Sequence, residues 1–392
     1  MKEVFILSYA RTPLGSFGGQ LSKFSAPQLG SFAIKAALER AGIQGSDVNE
    51  VFFGNVISAN IGQAPAKQAA LGADLPKSTP CTTINKVCSS GMKSIMIGAQ
   101  SIMAGDNDIV VAGGMESMSN IPYYLDKARF GYKFGGGKLI DGMQRDGLSD
   151  AYDHNAMGVS SDMTAEKHRI SREEQDRFAI QSYKRSAEAT EKKFLAEEIT
   201  PVEIPQRKGD PVLMAEDEEY KRVKLDKIPQ LRGAFSKEGT ATAANSSTIN
   251  DGGAAVVLIS GEKLKELGLT PLAKIKSFAD ASQEPKWFTT TPPIAARRAI
   301  EKAGLSIDDI DFFEVNEAFA SVTLAFIKDM KLDESKVNVW GGAVSLGHPI
   351  GVSGTRITGT LANILKLNQG QFGCAAICNG GGGASAILLE RV

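Results

Sequence analysis

Histidine, cysteine and tryptophan are scarce in this chain: three, four and two residues among 392. Four cysteines over that length make no disulfide framework, and neither Cys81 with Cys88 nor Cys374 with Cys378 has the spacing or the neighbouring histidine of a zinc site. A reducing compartment is expected. No apolar run reaches the ~18 residues of a membrane span, and Met1-Lys2-Glu3 leads straight into the strand-like Val4-Phe5-Ile6-Leu7. Neither a spanning helix nor a leader is therefore expected, and the expected location is cytoplasmic. Excess charge is missing too. The 44 basic and 45 acidic residues leave a net charge of −1, which removes any global attraction to nucleic acid or to an anionic membrane. An anionic ligand would have to be held by local groups.

What the chain does have is glycine, 41 residues of it, and 42% hydrophobic residues, the composition of a turn-rich α/β protein. Its length exceeds what one core supports, so two domains or a duplicated unit are expected. Self-comparison favours duplication. Ile34 to Ile43 resembles Ala296 to Leu305, each an amphipathic helix closed by a glycine, Gly42 or Gly304. The strand Val51-Phe52-Phe53-Gly54-Asn55 matches Phe312-Phe313-Glu314-Val315-Asn316 at an offset of 261 residues (Asn55 to Asn316). Cys88 with its helix and Asp108 to Gly114 match His348 with its helix and Phe372 to Gly383 at an offset of 260 (Cys88 to His348). Helices alternating with short apolar strands predict two copies of an α/β unit with mixed or parallel sheets, packed about a pseudo-two-fold axis. Such packing would bring Cys88 and His348 together.

Residues 120–249 break the repeat and read as an inserted lobe. It carries one helix from Ser171 to Phe194, opened by the capping box Ser171-Arg172-Glu173-Glu174. The expected boundaries are 1–119 for the first half, 120–249 for the lobe, 250–270 for the return of the chain to the first half, and 271–392 for the second half.

Cys88 follows a turn-prone stretch and precedes a helix-patterned run, Met92 to Met103. Backbone N–H groups and the helix dipole at such a place favour a thiolate, although a free cysteine is also a good small core residue. His348 lies between glycines in Gly347-His348-Pro349-Ile350-Gly351, where backbone can approach a ligand closely. His154 and His168 are expected at the surface. Cys374 reads as core. Cys378 ends a strand before Gly380 to Gly383, where N–H groups can form an oxyanion hole, or where the glycines simply make a turn. Asn316, in Val315-Asn316-Glu317-Ala318-Phe319, can orient a water or cap the next helix. Two cysteines, one histidine and one asparagine point to covalent acyl transfer. A second thiol has a purpose if a carbon–carbon bond forms, because a proton α to a carbonyl must then be removed.

Val87-Cys88-Ser89-Ser90-Gly91-Met92, Asn316-Glu317-Ala318-Phe319, Gly347-His348-Pro349 and Cys378 before four glycines resemble the signature blocks of the thiolase family, over essentially the whole chain. Thr79 to Cys88, Gly113 to Ser119, Asp217 to Arg222 and Ala243 to Ser247 are most similar to its acetoacetyl-CoA branch. The resemblance implies a thiolase fold: the duplicated α/β unit in five layers (αβαβα) with a loop domain, assembled as a homodimer or homotetramer. It implies interconversion of two acetyl-CoA with acetoacetyl-CoA plus coenzyme A, with acyl-CoA substrates and no tightly bound cofactor. By the same likeness Cys88 is acylated, His348 activates it, Asn316 holds a water, and Cys378 moves the α-proton. The N–H groups of Cys88 and Gly380 form an oxyanion hole. Leu148, Met157, Arg222, Phe235, Ala244, Ser247, Ala318 and Phe319 match positions around coenzyme A. Tyr220, Ala243, Ala244, Ser246 and Val344 match a potassium site. Ala156 stands where that branch commonly has histidine, which leaves acyl-chain length open, while Trp287-Phe288 argue for a short pocket. The alternatives are a broader 3-ketoacyl-CoA thiolase, a ketoacyl synthase without a second catalytic thiol, and a non-catalytic acyl-CoA carrier.

Overall fold

The computed structural model describes residues 2–392. Its centre is a ten-stranded sheet whose order repeats. In the first half, strand Glu50–Gly54 runs parallel to Ile109–Ser117, which pairs antiparallel with Asn250–Ser260, which in turn pairs antiparallel with Val4–Arg11. In the second, Phe312–Val315 runs parallel to Phe372–Asn379, followed antiparallel by Gly383–Glu390 and Ala273–Ser282. These four strands follow one pattern in both copies, as duplication requires, and the first half adds Cys81–Ile84 beside Glu50–Gly54 and Gly15–Ser16 beside Asn250–Ser260. The halves are not two separate sheets: Phe5 with Lys274 and Ile6 with Ala273 join them edge to edge.

Three apolar clusters give the five layers. The innermost takes Ile6, Val110 and Val256 from the first half, Ile275, Ile377 and Ile387 from the second, and between them Met92, Ile95, Ile357 and Leu361 from helices Ser90–Ala104 and Ser353–Leu367. The outer clusters cover the opposite faces, one under helices Ala26–Ala41 and Pro65–Gly72, the other under Pro292–Lys302 and Ala320–Met330. Each fully buried Ile, Leu or Met side chain contributes about 1.5–3 kcal/mol, so the central pair of helices is held strongly from both sides.

The register corrects the sequence alignment. Glu50 pairs with Val110 and Phe312 with Gly373, each at the start of its strand, so Glu50 and Phe312 are equivalent and the offset there is 262, not 261. A one-residue error in a strand exchanges the two faces. Under the corrected match Phe53 and Val315 both point into outer clusters, while Phe52 faces the central layer where Glu314 stands in the second copy. The helix starts, Ser90 and Ser353, differ by 263, so Cys88 lies two residues before its helix and His348 five before its own. Their equivalence is of loop, not of position.

Both caps expected from sequence form: Gly42 and Gly304 have φ of 65° and 74°. The lobe's main helix is Arg172–Glu191 with N-cap Ser171, and Glu174 closes the capping box. The return strand is Asn250–Ser260. Among the described residues no helix is long and apolar enough to cross a membrane.

Candidate active site

Two loops from opposite halves meet because glycines let them. A Cβ on Gly91 would lie 2.5 Å from Thr355 Oγ1 and 2.9 Å from the Gly351 carbonyl oxygen; one on Gly114 would lie 2.0 Å from that same oxygen. Any side chain here would push the Cys88 loop and the His348 loop apart. The turn itself is strained: Val87, β-branched, has φ +49° immediately before Cys88. That conformation turns the sulfur toward a cavity of about 500 Å³, lined by Cys88, His348, Gly380, Leu148, Ala156, Met157, Phe235, Ser247, Phe288, Ala318 and Phe319 among others. Its size and largely apolar walls suit a thioester and its tether.

The backbone N–H groups of Gly380 and of Cys88 itself face the sulfur and favour its charged form. The expected thiolate is not what the surroundings favour. Burial pushes the Cys88 thiol up to about 11, more than these N–H groups can offset. His348 is likewise neutral, its pKa held at about 3 by burial and by the Arg356 guanidinium. The resting pair is thiol and imidazole. His348 Nδ1 is 2.6 Å from Ser353 Oγ, and Ser353 donates to the Pro349 carbonyl at 3.2 Å, so Nδ1 carries the proton and Nε2 keeps its lone pair. Asn316 Nδ2 faces Nε2 at 3.4 Å. Asn316 Oδ1 is buried without a partner, an acceptor for a water or substrate donor. The His348 backbone N–H donates to Asn250 Oδ1 at 2.9 Å, fixing the loop to the return strand.

Cys378 is fully buried against residues of the cavity wall, Phe288, Ala318 and Phe319, with Val322, and Met157 packs against this group. Burial, with Cys88 beside it, raises its thiol far above the ordinary range. Gly380 is followed by the glycine turn, where Gly381 and Gly382 have φ of 82° and 86°.

Other expectations fare unevenly. Leu148, Met157, Phe235, Ser247, Ala318 and Phe319 line the cavity. Arg222 and Ala244 do not. Arg222 extends into an open surface cleft with Gln20 and Lys221, 4.0 Å from Glu219, and Ala244 is buried among Tyr183, Ile228 and Val344. Trp287 does not line the cavity either, since its ring lies 4.2 Å from Lys167 Nζ; Phe288 takes that role alone. Cys374 is core and His154 exposed as expected, but His168 is mostly buried, its Nδ1 3.4 Å from Asp329. Of the potassium positions, Tyr220, Ala244 and Val344 share one packed cluster, and Ser246 Oγ is buried without a partner, which suits an oxygen-ligated cation. Sequence reasoning missed the parts played by Ser353 and Asn250, whose signal is no more than a polar residue close to glycines, Gly351 and Gly354 for the first and Gly252 for the second.

The family model for the thiolase N-terminal domain matches residues 4–262, and that for the thiolase C-terminal domain residues 269–391. The chain is 55% identical to an acetyl-CoA acetyltransferase of Schizosaccharomyces pombe, with 100% of this chain and 99% of the relative aligned. It is 53% identical to a probable acetyl-CoA acetyltransferase of Dictyostelium discoideum, over 100% and 95% of the two chains. A crystal structure of a thiolase from Ascaris suum in complex with coenzyme A superposes with a TM-score of 0.95, at 46% identity over the whole of both chains.

Proposed function

We infer the reaction from the fact that the chain belongs to the thiolase family: it is an acyltransferase that interconverts two acetyl-CoA with acetoacetyl-CoA and coenzyme A. The observation that carries this reading is the convergence on one cavity of the Cys88 sulfur, two N–H donors and a His348 Nε2 free to accept a proton.

In the thiolytic direction His348 Nε2 takes the Cys88 proton as the sulfur attacks the 3-oxo carbon. The negative charge that develops on the substrate oxygens is met by N–H donors and by the Asn316–His348 pair. The carbon–carbon bond breaks, leaving an acetyl thioester on Cys88 and the enolate of acetyl-CoA. Cys378 then gives its proton to that enolate carbon. A thiol whose pKa burial has raised is in the protonated form this step needs, and its thiolate is a strong base for the reverse step. Free coenzyme A finally attacks the acetyl thioester as its thiol proton passes to the Cys378 thiolate, and the departing Cys88 sulfur takes back the proton held by His348, so both cysteines end as thiols. Phe288 sets a bulky ring in the cavity wall, which supports short 3-oxoacyl chains, while Ala156, also in the wall, leaves room beside it.

Coenzyme A enters this reading as substrate. Potassium, held by Tyr220, Ala243, Ala244, Ser246 and Val344, would supply a fixed positive charge that orders the loop leading to Ser247. A homo-oligomer is supported by Phe130, Phe134 and Leu139, exposed together in the lobe at 86%, 103% and 64%. A cytoplasmic location is proposed from the four free cysteines.

The test is single-turnover mass spectrometry with acetyl-CoA. One acetyl group on the peptide carrying Cys88 is expected; an unmodified protein, or acetyl on another residue, overturns the mechanism. Thiolysis of a C4 substrate should exceed that of C8 to C16 substrates, and the opposite order would make this a broad-range thiolase.

A further inference from the structure

The sequence motif after Cys378 holds more glycine than the turn needs. Gly381 and Gly382 have positive φ, but Gly383 does not, and a Cβ there would lie 2.4 Å from the Asn379 side-chain nitrogen. Gly383 is bare because it makes room for the Asn379 amide. That amide is buried and bonded at both ends: Nδ2 donates to the Gly380 carbonyl at 2.8 Å, and Oδ1 accepts from Ser89 Oγ at 2.9 Å. Ser89 is fully buried and follows Cys88 directly; Asn379 follows Cys378 directly. The contact spans 290 residues of sequence and joins one copy of the repeat to the other.

We propose that Ser89 and Asn379 form a positioning clasp that holds the Gly380 peptide so that its N–H stays aimed at the Cys88 sulfur and at the oxyanion formed on the group bound there. Gly380 has no side chain to anchor it and precedes two residues of unusual φ. Its nitrogen is fixed by the end of strand Phe372–Asn379, and the clasp fixes its carbonyl, so the residue between has little freedom to swing. The other end of the clasp is set by the residue next to the nucleophile, so donor and sulfur are located by one short chain of bonds. Neither side chain touches substrate. Both act through Gly380.

The clasp rests on the acyl-transfer reading for its catalytic effect, but not for its effect on the sulfur. Ser89→Ala, Asn379→Ala and the double variant should each lower kcat for acetoacetyl-CoA thiolysis by about ten-fold, less than the 10²–10³ of a deleted oxyanion donor, with KM within about two-fold. The losses should not multiply, because either substitution opens the same clasp. Ser89→Thr, which keeps the hydroxyl, should restore most of kcat. Independently of any turnover, the pH midpoint for iodoacetamide alkylation of Cys88 should move upward in Ser89→Ala and Asn379→Ala, since a thiolate donor has been loosened. Should Asn379→Ala fail to fold, Ser89→Ala and Asn379→Asp carry the test. Unchanged alkylation midpoints, or kcat losses that multiply in the double variant, overturn the clasp. If the wild-type protein shows no thiolysis, the acyl-transfer reading fails while the alkylation midpoints still decide the clasp.

Discussion

The two copies of the repeat carry the same strand order into the same central layer, yet the loops that enter their middle helices differ in kind. Before Ser90–Ala104 the chain reaches Cys88 through a strained, β-branched Val87, two residues from the helix. Before Ser353–Leu367 it reaches His348 through Gly347 at φ 112°, five residues from the helix, and the helix's own first residue, Ser353, turns back to hold the imidazole. Duplication supplied two equivalent loops facing each other, and in the proposed mechanism divergence made one a nucleophile and the other its base. Neither is charged at rest, with the thiol at about 11 and the imidazole at about 3. The helix dipole alone therefore does not make the thiolate. Proton transfer waits for a substrate whose developing oxyanion compensates it.

Breaking either loop's chemistry should have the largest effect. Cys88→Ser and His348→Ala are each expected to lower kcat/KM for thiolysis by at least about 10³-fold, and the double variant should lose little more, because the pair acts as a unit. Steady-state thiolysis measures this, and strictly multiplicative losses would mean the two loops work separately. Next comes the contact that brings the loops together. Gly114→Ala drives a methyl group to 2.0 Å from the Gly351 carbonyl oxygen, so the His348 loop must move. A stability loss of about 3 kcal/mol in urea unfolding is expected, with a fall in kcat, and an unaltered urea midpoint would show that the loops have slack.

How much of this was legible in the sequence follows from the range of each signal. The strands, the Gly42 and Gly304 caps and the Ser171 capping box are written in a few adjacent residues, and they form as read. The repeat itself was legible through three matched segments. Its register was not, because matching Asn55 to Asn316 sets Phe52 against Phe313, whereas the pleat pairs Phe52 with Glu314. Positions of Cys88, His348, Cys378 and Asn316 were legible from their glycine and strand-end settings; their charge states were not, since burial is a property of the assembled layers. Ser353 and the Ser89–Asn379 contact were hidden because serine and asparagine look the same in a cap, a turn or a core. Arg222 carried a family position without the local contacts that would have shown where its side chain goes.

Ser353 sharpens the comparison between the loops. Nothing equivalent holds the sulfur from its own helix, so removing Ser353 tests a feature the second copy has alone. Ser353→Ala deprives His348 Nδ1 of its 2.6 Å partner, freeing the ring to rotate and to change tautomer. A loss of one buried hydrogen bond, about 1.5 kcal/mol, corresponds to roughly ten-fold in kcat, with KM little changed. Ser353→Thr, which keeps the hydroxyl, should recover part of it. Equal kcat in Ser353→Ala and the wild type would mean that Asn316 alone orients the imidazole.

The smallest expected effect concerns Phe52 and Glu314, which stand in the same place in the two copies, one apolar and one a carboxyl. Glu314 is buried 3.2 Å from Arg356 Nη1, and burial pushes its pKa up to about 8 despite that guanidinium. Its folded value lies above the ordinary 4.5, so its stabilising contribution is full below that value and is lost as pH rises through about 8. At pH 6 the group is then a neutral acid, and glutamine is its near-isostere. Glu314→Gln should cost less than about 1 kcal/mol at pH 6, instead of the roughly 3–5 kcal/mol of a broken buried ion pair. Between pH 5 and 8 the wild type should lose stability relative to this variant, whose own dependence is flatter. Urea unfolding at the two pH values decides between them: a large loss at pH 6 would mean that Glu314 is ionised, and that the second copy holds a true ion pair where the first holds Phe52.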